Sequence, residues 1–161
     1  SGDEYQRLVA SVVLPYAANK ADIVEDLQAS LTDNDAAVRA QAVRALTSLA
    51  LLERTDPATK IRVSATWFID MLQSLTWSDR TQAAHALDTL TKDRDVFVLS
   101  RLRGPALESL IEMSRWRTEQ HAYPSFTLVG RVAGLTEITI RDAWLRAGRE
   151  TVIGQALEKA R

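Results

Sequence analysis

An internal repeat is the feature that most constrains the fold of this chain. The segment RAQAVRALTSL, which begins at Arg39, and the segment RTQAAHALDTL, which begins at Arg80, match at six of eleven positions at an offset of 41. That is more than two unrelated amphipathic helices usually share. Periods of about 40–47 residues are typical of stacked helical repeats. The sequence therefore predicts helices that recur in pairs along the chain.

The spacing of apolar residues supports helices in both copies. The first copy has one apolar stripe at helical spacing, formed by Val38, Ala42, Ala45, Leu46 and Leu49. The second copy repeats it with Ala83, Ala86, Leu87 and Leu90. A further stripe predicts a longer helix between the copies, with Asp56 as its N-cap and Pro57 in its first turn. This stripe consists of Ile61, Ala65, Phe68, Leu72 and Leu75.

The rest of the chain also predicts helices joined by short connections. We expect a cap helix at about 3–18 and hairpins at about 21–53, 57–92, 95–134 and 139–161. Gly104-Pro105 predicts a kink or two short helices, Pro124 lies near a predicted helix start, and Thr139 resembles a capping residue. The expected fold is one all-α domain of four antiparallel helical hairpins behind a cap helix.

Composition excludes several classes of protein. The 161 residues carry 20 Lys and Arg against 21 Asp and Glu, a net charge of −1, which disfavours non-specific binding to DNA or anionic membranes. The chain has no cysteine, which excludes a disulfide framework, a thiol nucleophile and a cysteine zinc site. No apolar run approaches the roughly 20 residues of a membrane span.

The segment from Leu27 to Leu49 consists of an apolar first helix, the turn Asp33-Asn34-Asp35 and a second helix that Val38-Arg39 opens. In these features the sequence resembles the HEAT-repeat family. The second copy departs from the pattern, since Asp79 rather than valine precedes Arg80. The resemblance implies a right-handed α-solenoid of stacked antiparallel hairpins and a scaffold or interaction role.

Arg39 and Arg80 occupy equivalent positions in the two copies, which allows two interpretations. They could form a structural ladder, in which each arginine pairs with a turn aspartate such as Asp35 of its own or a neighbouring repeat. Alternatively, they could grip a partner. We expect the structural ladder.

Candidate partner-binding residues lie off the apolar stripes. Arg44 and His85 are equivalent in the repeat, on the second-helix surface that the resemblance places inside the curve. Trp77 lies in a predicted inter-helix turn, as a packing plug or an exposed anchor. Arg115-Trp116-Arg117 combines basic and aromatic side chains that are suited to bases or acidic peptides.

No catalytic motif stands out, so we expect a non-enzymatic module without cofactor or metal. Its predicted function is that of a protein-interaction scaffold, which binds a protein partner or flanking domains of a longer chain. The alternative is a nucleic-acid-binding or nucleic-acid-processing solenoid that uses the Arg101–Arg117 region. One such type is a DNA alkylation-repair protein, for which Trp67 and Asp70 at i, i+3 are candidates. No signal peptide is visible, and we expect a cytoplasmic protein.

Overall fold

The computed structural model describes residues 20–59 and 61–161, and within them the chain is helical with no β-strand. The all-α prediction is confirmed for this part, whereas the predicted cap helix at about 3–18 lies outside it. The helices are α1 (Lys20–Ala29), α2 (Ala36–Thr55), α3 (Thr66–Met71), α4 (Trp77–Leu90), α5 (Val96–Arg101), α6 (Pro105–Ser114), α7 (Glu119–Val132), α8 (Glu137–Leu145) and α9 (Arg149–Ala160). Short 3₁₀ turns occupy Ser30–Thr32 and Pro57–Thr59.

Helices α2 and α4 are parallel neighbours. They pack directly against each other. Near the starts of both helices, Arg39 of α2 donates a hydrogen bond to Asp79 of α4. Near their ends, Arg54 of α2 donates to the carbonyl groups of Thr89 and Leu90 of α4. Since start lies beside start and end beside end, the two helices run in the same direction.

Helices α4 and α7 are related in the same way. The Trp77 ring at the start of α4 lies 5.4 Å from the His121 ring in the first turn of α7. Arg131 near the end of α7 donates to the carbonyl of Asp88 near the end of α4. We call α2, α4 and α7 the parallel row. Helices α1, α3 and α6 each pack against the row helix that follows them, and α9 packs against α7.

The leucines of the repeat lie in the core of this row. Leu46 of α2 and Leu87 of α4 are both completely buried. Leu128 of α7, another 41 residues along the chain, is completely buried as well. The repeat was not visible at this third position, because the residues around Leu128 share few identities with the copies that begin at Arg39 and Arg80.

The predicted long helix in 57–92 is wrong. Pro57–Thr59 form a 3₁₀ turn, residues 61–65 are not helical, and α3 has only six residues. The Ser64 hydroxyl accepts a hydrogen bond from the Thr66 amide, a local bond that competes with helix formation. Asp56 is the C-cap of α2, and its carboxylate accepts a hydrogen bond from the Ala58 amide, so that it caps a short 3₁₀ turn instead of a long helix. Leu75 is fully exposed instead of lying in the core.

Two other helix boundaries differ from expectation. Pro124 lies inside α7, not at its start, and the N-cap of α8 is Thr136, whose hydroxyl accepts from the amide of Thr139. Sequence cannot choose between two threonines three residues apart, since either could cap a helix. The two short helices expected around Gly104-Pro105 are confirmed as α5 and α6.

Helix α8 covers the outer side of α7. Trp144 of α8 packs against Phe126 and Tyr123 of α7, with ring centroids 5.3 and 5.2 Å apart. One turn further along α7, Gly130 lies against Ile140 so closely that a Cβ atom on the glycine would be 2.7 Å from Ile140 Cδ1 and nearer still to Cγ1. As a result, residues 124–132 of α7 are buried on every side.

We therefore expect Gly130→Ala to destabilise the fold by about 1–3 kcal/mol, because Ile140 is branched and cannot move aside cheaply. Adding Ile140→Ala should recover part of that loss. Gly154→Ala in α9 is the matched control, since its Cβ would meet no atom within 4 Å and alanine favours helix. Urea unfolding measures all four proteins. Equal destabilisation by Gly130→Ala and Gly154→Ala would contradict the close contact.

Candidate interaction groove and its arginine frame

Arg39 joins the turn before α2 to the start of α4. Its Nε donates to Asp79 Oδ2 at 3.0 Å, and its Nη1 donates to the carbonyls of Asp33 at 2.6 Å and Asn34 at 3.0 Å. The arginine and Asp79 are nearly buried, with side-chain exposures of 14% and 9%. Asp35 has a separate role as N-cap of α2, accepting from the amides of the first turn. The carboxylate that holds Arg39 therefore belongs to the following repeat.

Arg80 does not repeat the pattern of Arg39. It donates to the carboxylate of Glu112 on α6 at 2.6 Å, and its guanidinium lies 5.4 Å from the centre of the Trp116 ring. The prediction that Arg80 pairs with a turn aspartate is wrong, because the residue 41 positions after Asp79 is Gln120. The hydrogen bond from Arg80 lowers the pKa of Glu112, although partial burial of the carboxyl opposes this.

A second set of arginines holds the other ends of the helices. Arg54 bonds the last carbonyls of α4 at 2.9 and 2.6 Å and forms an ion pair with Asp93 at 2.9 Å. Arg94 donates to the Leu135 carbonyl in the connection before α8 and to the carboxylate of Glu137, the first residue of α8. The repeat did not predict this set, because neither Arg54 nor Arg94 has another arginine 41 positions away.

Arg131 is the most buried member of this second set, with a side-chain exposure of 3%. Its Nη1 donates to the Asp88 carbonyl at 2.6 Å and the Thr91 hydroxyl at 2.8 Å, and it lies 2.9 Å from the Asp88 carboxylate. Its Nε donates to Glu137 at 2.9 Å. This hydrogen bond is the largest cause of the lowered pKa of Glu137.

Between these two sets of arginines, α2 and α4 enclose a shallow groove of about 320 Å³. We call it the α2–α4 groove; its polar lining consists of Arg44, Thr47 and Ser48 of α2 and Gln82, His85, Asp88 and Thr89 of α4. The structure thus brings together Arg44 and His85, the two residues that the repeat made equivalent. Both are exposed.

The polar groups of the groove differ in what they can bind. The Thr47 and Ser48 hydroxyls already donate to helix carbonyls, at 2.7 and 3.0 Å. The side chains of Arg44, Gln82 and His85 form no hydrogen bond or ion pair within the described residues. The nitrogen donors of these three side chains therefore remain available to a partner.

Trp77 is the first residue of α4 rather than part of a turn. It is 59% exposed, and its ring meets His121 edge to face. It lies at the starts of the row helices, away from the lining residues of the groove. Both proposed roles remain open, since the ring packs on one side and faces solvent on the other.

The Arg115-Trp116-Arg117 triplet does not act as one unit. Arg115 is bound to Glu150 of α9 at 2.7 Å, and this bond lowers the pKa of Glu150 and raises that of Arg115. Trp116 is half-buried beneath Arg80. Arg117 is exposed and, unlike Arg115, forms no ion pair with any described residue. One free cation is a small basis for nucleic-acid binding.

Comparison with known protein families and with curated protein sequences finds no match for this chain. The part of the chain that the structure describes contains no group of three or more His, Asp and Glu side chains that could hold a metal ion. Within that same part, each helix is too short or too polar to span a bilayer.

We expect Arg131→Met to destabilise the protein by about 2–4 kcal/mol. The substitution leaves Asp88 and Glu137 without their shared cation and removes donors from one carbonyl and one hydroxyl group. Partial exposure of the two carboxylates reduces the penalty. Arg117→Met is the matched control and should change the free energy of unfolding by less than about 0.5 kcal/mol. Similar losses in both variants, measured by urea unfolding, would rule out the proposed role of Arg131.

Glu137 should make stability depend on pH in the acid range. Its pKa is lowered in the folded protein, so its contribution is complete above the ordinary carboxyl pKa of about 4.3 and is lost as the pH falls through the lower folded pKa. Compared with Glu137→Gln, the wild type should be more stable at pH 7, and the difference should shrink below about pH 4. Unfolding curves across this range test the sign; a constant difference would contradict it.

Proposed function

We propose that this chain is a non-catalytic protein-interaction module, built as a right-handed HEAT-like solenoid, that binds a protein partner in the α2–α4 groove. The parallel row and the equivalent burial of Leu46 and Leu87 support the repeat architecture. In such arrays each hairpin completes the core of its neighbour, and the stacked helices present an extended binding surface.

One observation carries the proposal: a polar groove with free donors lies between two helices that are fixed at both ends. Arg39 ties the starts of α2 and α4, and Arg54 ties their ends. A surface held in this way loses little conformational entropy when a partner binds, so more of the contact energy appears as affinity. Loops in the same place would have to be ordered first.

The open part of the row is limited to α2 and α4. Phe126 follows His85 at the repeat spacing of 41, but it is completely buried and packs against Trp144 of α8. A partner on this surface would therefore contact α2 and α4 and stop at α8. This gives the interface a defined end within the chain.

The nucleic-acid alternative has less support. Arg115 is neutralised by Glu150, and Trp116 lies half-buried beneath Arg80. Trp144 is covered by the Arg149 guanidinium, 3.7 Å from its ring centre. Neither tryptophan offers a fully free ring for stacking bases, which sequence-tolerant single-strand binding needs. Trp67 and Asp70 of α3 are both exposed, without a charged partner to orient the carboxylate among the described residues.

We expect Arg44→Glu to reduce capture of the native partner by about tenfold or more, since it removes a free guanidinium donor from the groove and reverses the charge at that position. The partner is first identified by cross-linking and mass spectrometry in extracts of the source cells, then purified for direct titration. Arg62→Glu is the matched control, because Arg62 is also exposed but lies outside the groove.

Both variants should unfold at the wild-type temperature. If Arg44→Glu binds the partner as well as Arg62→Glu does, the groove is not the interface. If Arg117→Glu instead abolishes salt-sensitive binding of single-stranded DNA, the nucleic-acid alternative replaces the proposal.

A further inference from the structure

The charges of the α2–α4 groove indicate what kind of partner it accepts. Its one carboxylate, Asp88, is paired with the buried guanidinium of Arg131 at 2.9 Å. Arg44 has no such partner within the described residues. The groove is therefore electropositive although the chain as a whole carries a net charge of −1. A complementary partner presents carboxylates to it.

The geometry of the row determines how far apart those carboxylates should be. Arg44 and His85 lie on adjacent parallel helices, and packed helices are about 8–10 Å apart between their axes. Hydrogen bonds at both ends of the pair hold α2 and α4 in register, which keeps the two side chains at similar heights. Two carboxylates that meet them simultaneously must span roughly the same 8–10 Å.

An α-helix supplies this spacing on one face, whereas an extended chain does not. Residues seven apart on a helix are two turns, about 10.5 Å, from each other and point in nearly the same direction. In an extended strand, residues three apart span about 10 Å but point to opposite sides. Residues two or four apart share a side but span about 7 or 13 Å.

From these facts we infer that the α2–α4 groove binds an acidic helix of a partner protein, which crosses α2 and α4 and presents carboxylates at positions i and i+7 to Arg44 and His85. This inference rests on the proposed function and names the chemistry of its partner. Gln82 lies in the same groove one turn before His85 on α4, where its side-chain amide donates to the partner helix beside the contacts made by Arg44 and His85.

The test uses synthetic helical peptides and the full chain. The first peptide is alanine-rich and carries glutamate at i and i+7. The second has the same composition with glutamates at i and i+5, which point about 140° apart on the helix. A third replaces both glutamates of the first with lysine. Fluorescence anisotropy at low ionic strength measures the affinity of each.

We expect the i, i+7 glutamate peptide to bind at least about tenfold more tightly than the i, i+5 peptide, and the lysine peptide not to bind. Arg44→Gln should remove this preference, and His85→Gln should weaken it, whereas Arg62→Gln should leave it unchanged. Equal binding of the two glutamate peptides, or a preference that survives Arg44→Gln, overturns the inference.

The outcome can be separated from that of the proposed function. If the peptides do not discriminate but Arg44→Glu still prevents capture of the native partner, the groove is an interface and its partner is not an acidic helix of this spacing. If native capture ignores the groove altogether, the proposed function fails first. Thermal unfolding of each variant identifies any that lose the fold, and these are replaced by Arg44→Met and His85→Asn.

Discussion

The arginine bonds between neighbouring helix ends are the interaction on which the rest of the structure depends. Parallel helices place their unsatisfied C-terminal carbonyls side by side, which concentrates partial negative charge at one edge of the row. Arg54 reaches the carbonyls of Thr89 and Leu90 from α2, and Arg131 reaches that of Asp88 from α7. The end of α4 is thus satisfied from both sides. Without these cations, hydrophobic contact alone would have to hold like helix ends together.

The arginine bonds at the helix ends explain why some polar residues of the groove need no structural role. Apolar stripes and bonded helix ends already fix α2 and α4, so the stability of the pair does not depend on every polar side chain between them. Arg44, Gln82 and His85 occupy that position and have no partner among the described residues. A position that the fold does not require can be occupied by residues suited to a partner, which is why this groove rather than the Arg115–Arg117 turn is the better candidate.

The accuracy of the sequence-based predictions depended on the range of the interactions involved. The stripe through Leu46 and Leu87 was readable because helix burial repeats locally along the chain. The pairing of Arg80 with Glu112 was not, because nothing in the spacing of residues 32 apart marks them as neighbours. The predicted helix from Pro57 failed for a local reason: periodicity cannot detect the Ser64–Thr66 bond that competes with it. The sequence predicted two residues of the groove, Arg44 and His85. It did not predict the charge of the groove, because that charge depends on Arg131, which is distant in sequence.

Net charge was a poor guide to this surface for the same reason. A value of −1 for the chain says little about local potential when buried pairs such as Arg39–Asp79 cancel at close range and exposed groups do not. Screening in physiological salt limits exposed charges to an influence of about 8 Å. A partner at the groove therefore responds to Arg44 and to the neutralised Asp88, and hardly to the acidic residues elsewhere. Arg131 therefore contributes to the charge of the groove through its ion pair with Asp88, although Arg131 itself is buried.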